Sequence, residues 1–267
     1  MDAELVALIA LLAGAAALGV ISLSLLRINR RLRRALNRTT DRLENLQLSF
    51  QRFVPQDVVE SVIDRGVSAH GERRAVSVLF ADLVGFTSLS ETMPPESVVR
   101  ILNGYFRAMS RVVREHNGFV VRFLGDGILA IFGAPEPNPW HTHDAARAAL
   151  AMLQALDEYG ERLRSGGDRP LFMGIGIDTG NVMAGVIGSD ELMEYTVIGD
   201  VVNTASRIEE LTRSLEYELL VTERFAAELD SRYRLERLDA VPVKGKSDPI
   251  RPVALLGVDD DAHSAGG

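Results

Sequence analysis

Val76-Ser77-Val78-Leu79-Phe80-Ala81-Asp82 and Val120-Val121-Arg122-Phe123-Leu124-Gly125-Asp126-Gly127 share one design: an apolar run that ends on an aspartate. The first continues into Leu83-Val84-Gly85-Phe86-Thr87, and the second returns at once through Ile128-Leu129-Ala130-Ile131-Phe132. Short runs rich in β-branched and aromatic residues predict buried strands. Gly125-Asp126-Gly127 between two of them predicts a tight hairpin with a carboxylate at its tip. Two buried strands that each deliver a carboxylate to one sheet edge suggest a divalent-cation site. Hard oxygen ligands suit Mg²⁺ or Mn²⁺, which also take water and phosphate oxygens. Taken singly, an aspartate between glycines is an ordinary turn residue. No turn chemistry requires Asp82 where it stands.

Downstream of Asp82, Gly85-Phe86-Thr87-Ser88 reads as a small-residue loop whose backbone N–H groups can approach phosphate oxygens. Pro94-Pro95 opens a helix to about His116, with Val98, Val99, Leu102, Phe106, Met109 and Val113 as its apolar face. A proline-rich loop then precedes a second helix over about 142–163. A strand is expected at 171–179, a turn at Asp178-Thr179-Gly180-Asn181 and a partner strand at 182–187. Another short strand, 194–198, breaks at Gly199-Asp200, and a helix begins near Val201. Strand, helix, hairpin, helix, strand is the order of an α+β, ferredoxin-like sandwich with helices on one face of an antiparallel sheet. From Leu219 onward short strands alternate with one helix. The acidic, Gly-rich tail at 258–267 reads as disordered.

The 267 residues suffice for one catalytic-sized domain plus an extension. A net charge of −8 argues against general nucleic-acid binding. The absence of cysteine excludes disulfides, zinc–thiolate sites and thiol nucleophiles. Residues 5–26 carry no charge and are nearly all Leu, Ala, Ile, Val and Gly, long enough to span a bilayer. A cleaved signal peptide would begin with positive charge, whereas Asp2 and Glu4 precede this run and Arg27, Arg30, Arg31, Arg33 and Arg34 follow it. The positive-inside rule then puts everything after Leu26 in the cytoplasm, as a single-pass inner-membrane protein.

Leu25, Asn29, Leu32, Leu36, Thr39, Leu43, Leu46, Phe50 and Phe53 alternate spacings of four and three, a heptad seam that ends at Pro55. Either one amphipathic helix packs on its own domain, or two chains pair. The sustained period and the polar Asn29 in the seam favour a parallel two-stranded coiled coil, hence a homodimer.

Four segments together resemble the class III nucleotidyl cyclases: Phe80 through Thr87, Phe123-Leu124-Gly125-Asp126-Gly127, Tyr195 through Arg207, and Val243-Lys244-Gly245-Lys246. The resemblance covers about residues 55–256. It implies a membrane-anchored adenylyl cyclase in which the ribose 3′-hydroxyl of ATP attacks the α-phosphate and pyrophosphate leaves. It further implies two Mg²⁺ or Mn²⁺ ions per site, held by Asp82 and Asp126 with the backbone carbonyl of Leu83. Phe86 and Thr87 fall in the phosphate loop. Asn203 and Arg207, four apart on one helix face, would orient the ribose and stabilise the α-phosphate from the other protomer. Lys244 matches the position that binds the terminal phosphates. Taken alone, these last three read as a cap-like Asn, a surface Arg and a solvated loop charge.

The base-reading positions are Arg122 and Thr196. Thr196 fits the adenine pattern. Arg122 replaces the usual Lys, and its fork can donate to adenine N1 or to guanine O6. ATP is the expected substrate, with a guanylyl or relaxed-specificity cyclase as the alternative. Gly174 stands where some mammalian relatives carry a phosphate-contacting Arg. A catalytically silent nucleotide-binding module would lack one of Asp82, Asp126, Asn203 and Arg207, and all four are present. The resulting division is a transmembrane helix at 1–26, a coiled coil at 27–54, a connecting element at 55–74, the cyclase domain at 75–257 and the tail.

Crosslinking of the full chain in membranes is expected to trap dimers through the heptad seam. Monomers alone would mean that this helix packs on its own domain.

Overall fold

The computed structural model describes residues 71–189, 193–242 and 249–259. In chain order they form β1 (Glu72–Leu83), α1 (Phe86–Ser90), α2 (Pro95–Glu115), β2 (Gly118–Leu124), β3 (Gly127–Phe132), α3 (His141–Ser165), β4 (Met173–Gly188), β5 (Met193–Ile198), α4 (Asp200–Leu215), β6 (Leu219–Thr222), α5 (Glu223–Ala227), β7 (Tyr233–Arg237) and β8 (Pro252–Val258). The predicted transmembrane helix and coiled coil, and most of the connecting element and tail, lie outside the described residues. Among the described residues, no helix is long and apolar enough to cross a membrane.

The strands form one sheet in the order β2-β3-β1-β4-β6-β8-β7, with β5 paired to β4. The β4–β6 pairing is parallel, so the α+β sheet is mixed rather than wholly antiparallel. Both aspartate-ended runs are strands, as their composition predicts, but only β1 is largely buried; β2 lies at the end of the strand order, half-buried, with Phe123 and Leu124 exposed. β1 begins at Glu72, inside the segment read as a joint, because Glu72, Arg73 and Arg74 pair with Ala184, Met183 and Val182. The register sets Ala81 against Ile128 and Asp82 against Gly174. The end of β1 therefore lies beside the Gly125-Asp126 turn of the β2–β3 hairpin.

α2 starts with Pro at its first turn, where a missing N–H costs nothing. It buries Ile101, Tyr105, Ala108, Met109, Val112 and Val113, a stripe at helical spacing. With α3 it covers the sheet face formed by Leu79, Ala81, Ile128, Ala130, Met173 and Ile175. The alternate residues Val76, Val78, Leu129, Ile131, Val182 and Ala184 face the opposite way and pack with Val201 and Ala205 of α4. Helices thus cover both faces, not one as the element order suggested. The reason lies in β4. A Cβ on Gly176 would sit 2.1 Å from the Glu209 backbone nitrogen and 2.5 Å from the Ala205 carbonyl oxygen. One on Gly174 would sit 2.1 Å from Thr212 Oγ1. The glycines let α4 lie directly on the strand. The position read as a missing phosphate-binding Arg has no room for any side chain.

The turn expected at Asp178-Thr179-Gly180-Asn181 is not a turn, and β4 runs through it. The fully buried Asp178 carboxylate accepts hydrogen bonds from the Thr179 backbone N–H at 2.8 Å, Thr222 Oγ1 at 2.6 Å and Arg224 Nε at 2.5 Å, and Arg224 Nη2 also pairs with it. Thr179 Oγ1 donates to the Val76 carbonyl at 3.1 Å. These partners come from β6, α5 and β1, so long-range satisfaction of the polar groups overrides their local turn preference.

Gly176→Ala is expected to lower the melting temperature by roughly 5–10 °C, because overpacking against helix backbone costs about 1–3 kcal/mol. Gly160→Ala is the control. A Cβ there meets nothing closer than 3.7 Å, and its melting temperature should hold or rise slightly, since Ala favours helix over Gly.

Candidate active site

Asp82 and Asp126 converge where β1 meets the β2–β3 turn. Gly125 takes φ 67°, a left-handed value that glycine adopts freely and that turns the chain sharply at Asp126. Gly127 follows. A Cβ on it would lie 3.2 Å from Asp82 Oδ1 and 3.1 Å from the Leu124 carbonyl, so glycine lets the turn close tightly on the carboxylate. The Asp82 side chain is 30% exposed, half-way between core and solvent. Burial first, and the neighbouring Asp126 charge second, push its carboxyl above the ordinary carboxylate range, and Arg213 opposes them. Two carboxylates brought to one sheet edge are a donor set a divalent cation would satisfy. Leu83 closes β1 with its side chain buried, and its backbone is the part available to the site.

Gly85-Phe86-Thr87-Ser88 is part of a short helix, α1, rather than an open loop, with Gly85 at its N-cap. Phe86 is buried in the core under α2 and α3, so its side chain holds the segment in place. Thr87 is exposed.

The two positions expected to read the base, Arg122 and Thr196, lie side by side in the fold. Arg122 Nη2 donates to Thr196 Oγ1 at 3.4 Å, joining β2 to β5 within one chain. It also pairs with Glu194 Oε2 at 2.9 Å. Glu194 escaped the sequence reading. It stands two residues before Thr196 on β5, so the strand period places both on one face. The buried Arg122 Nε has no partner among the described residues.

Asn203 and Arg207 lie on α4. Asn203 is exposed, and Arg207 donates through Nη1 to both Glu210 oxygens, at 2.5 and 2.8 Å. Arg213, on the same helix, pairs with Asp82. Six residues of helix separate Arg207 from Arg213, about 9 Å along the axis and about 120° around it. Within one chain Arg207 therefore stands on a different side of α4 from Arg213, the residue that reaches Asp82. Lys244 lies outside the described residues.

Two further α4 features went unread. Arg213 reaches a carboxylate 131 residues away in sequence, which no local spacing signals. Glu209 is 8% exposed, and its Oε1 has no hydrogen-bond partner among the described residues. Burial, followed by the Asp82 charge, pushes its carboxyl up to about 7. Its position four residues before Arg213 is the signal that was available.

Residues 69–255 match the family model "Adenylate and Guanylate cyclase catalytic domain". The chain is 35% identical over 227 residues to an adenylate cyclase of Anabaena cylindrica, covering 81% of this chain and 44% of that protein. It is 31% identical over 225 residues to adenylate cyclase 1 of Rhizobium meliloti, covering 84% and 34% respectively. The chain thus spans less than half the length of these relatives. Among solved structures, the guanylyl cyclase Cya2 matches with a TM-score of 0.67 at 36% identity, covering 73% of this chain and 98% of that one. The adenylyl cyclase CyaB from P. aeruginosa matches with a TM-score of 0.66 at 29% identity, covering 72% and 98%. A sheet with helices on both faces, a carboxylate pair at its edge and these matches together establish that this chain belongs to the family of adenylate and guanylate cyclase catalytic domains.

Proposed function

We propose that this chain is a homodimeric adenylyl cyclase, anchored in the inner membrane by residues 1–26 and aligned by a parallel coiled coil at 27–54, which converts ATP to 3′,5′-cyclic AMP and pyrophosphate. The shared-site reading rests on one observation: Arg213, which reaches Asp82 at the end of β1, and Arg207 stand about 120° apart around α4. A catalytic centre that needs both takes Asp82, Leu83 and Asp126 from one protomer. Arg122, Thr196, Asn203 and Arg207 come from the other. A two-fold dimer then holds two equivalent centres.

Asp82 and Asp126, with the Leu83 carbonyl, would hold two Mg²⁺ or Mn²⁺ ions. Such ions supply charge neutralisation of the attacking and leaving oxygens in an in-line displacement. The rest falls to side chains. Asn203 orients the ribose so that its 3′-oxygen faces the α-phosphate, the positional share of catalysis. Arg207 releases Glu210 and turns its planar fork to the charge that develops on the α-phosphoryl oxygens. The exposed Thr87 and the backbone of α1 border the triphosphate, and Lys244 neutralises its far end. Arg122 and Thr196 face the base edge, where a guanidinium donor and a hydroxyl suit adenine N1 and the 6-amino group. The similarity to two adenylate cyclases supports ATP. Glu194 supports a second reading, since a carboxylate beside Arg122 can accept from guanine N1–H and the 2-amino group, and the similarity to Cya2 agrees with it.

Assay of the full chain with Mn²⁺ and then Mg²⁺ is expected to give cyclic AMP from ATP, and Asp82→Asn should lower the rate at least roughly a hundredfold. Cyclic GMP as the main product would reverse the base assignment. No product from either nucleotide would favour a silent nucleotide-binding module. Asp82→Asn and Arg207→Ala chains, each inactive alone, should recover roughly a quarter of wild-type activity when co-expressed, because half the dimers are mixed and each holds one intact centre. No recovery would mean that each centre is built from one chain.

A further inference from the structure

The Asp82–Asp126 edge carries more than two carboxylates. The charges of both aspartates bear on the buried Glu209 carboxyl, and the buried Tyr105 hydroxyl senses all three. Arg213 is the cation set against them. Its guanidinium is half exposed, and its partner Asp82 is the residue whose carboxylate the metal reading requires. Four residues earlier on the same helix face, Glu209 holds a carboxylate oxygen that is buried and without a partner. A buried polar atom with no partner is costly, and a native structure that keeps one has a use for it. Glu followed four residues later by Arg is the favourable orientation of a helical ion pair.

We infer that Arg213 is a counter-ion with two seats: it neutralises Asp82 while that carboxylate is free of metal, and it moves to Glu209 when a divalent cation takes Asp82. The reading rests on Asp82 being a metal ligand. The driving force is electrostatic. A divalent cation on Asp82 repels the guanidinium and also relieves the repulsion among Asp82, Asp126 and Glu209, so the Asp82 seat loses its value as the metal binds. The vacant Glu209 oxygen receives the displaced donor within the same helix turn and needs no backbone movement. Arg213 acts as a positioning residue, since it touches neither nucleotide nor reacting atoms.

The test is Mn²⁺ binding to the full chain without nucleotide, followed by the loss of the free-ion electron paramagnetic resonance signal. Arg213→Gln should bind Mn²⁺ roughly fivefold more tightly, the upper worth of a part-exposed ion pair. Its metal-free melting temperature should fall, and the rise on adding Mn²⁺ should exceed that of the wild type. Arg213→Lys, which keeps the charge but loses the fork, should lie between the two. Glu209→Gln should weaken Mn²⁺ binding, because the displaced Arg213 then has a poorer second seat. Unchanged or weaker binding in Arg213→Gln overturns the counter-ion role, and unchanged binding in Glu209→Gln overturns the transfer. Asp82→Asn separates the two levels. If it weakens Mn²⁺ binding while Arg213→Gln does not tighten it, only the two-seat device fails; if it leaves binding unaltered, the metal reading fails with it.

Discussion

The contact on which this protein depends is the seating of α4 on the bare backbone of β4 at Gly174 and Gly176. Elsewhere the sheet is covered by side chains that interdigitate with a helix at ordinary distance. Here a Cβ on Gly176 would lie 2.1 Å from the helix backbone itself. That close approach brings Arg213 to Asp82 and buries Glu209 beside it, while Asn203 and Arg207 remain on another side of the helix. A helix held even one side chain further from the strand would carry all four groups to different places. The packing constraint and the chemistry therefore have the same origin.

The second structural commitment is β4, a strand of 16 residues. Its first part pairs with β1 and β6, and its far part with β5. It can run so far because Asp178 and Thr179, whose side chains would otherwise bond locally and bend the chain, find partners in Thr222, Arg224 and the Val76 carbonyl. The extension puts β5, with Glu194 and Thr196, within reach of Arg122 on β2. One buried carboxylate network thus bears on where Arg122, Glu194 and Thr196 meet.

Charge pairing gives the protomer a particular resting character. Arg207 is held by Glu210, Asp82 by Arg213 and Arg122 by Glu194. Each of these three groups, proposed to meet nucleotide or metal, already has an internal partner of opposite sign. These pairs are at least partly exposed and so individually weak, which suits groups that must exchange partners. Glu209 differs from them: it is buried, unpaired through one oxygen among the described residues, and its carboxyl is pushed up by burial and the Asp82 charge.

Much was legible from residue order alone. Apolar runs of strand length, a Gly-Asp-Gly tip and the stripe of α2 depend on local periodicity and turn chemistry, so β1, the β2–β3 hairpin, α2 and α3 could be read directly, and the carboxylates at one sheet edge followed from them. Arg122 and Thr196 were singled out by resemblance, and their contact with each other is a finding of the fold. Only the tertiary structure decided which face α4 covers, whether Asp178 turns the chain, why Gly174 carries no side chain, and that Arg213, Glu209 and Glu194 belong beside the site. Their positions are set by contacts between residues far apart in sequence, by backbone satisfaction and by the absence of a Cβ. Those are properties of packing, which hydrophobic period and local propensity do not encode.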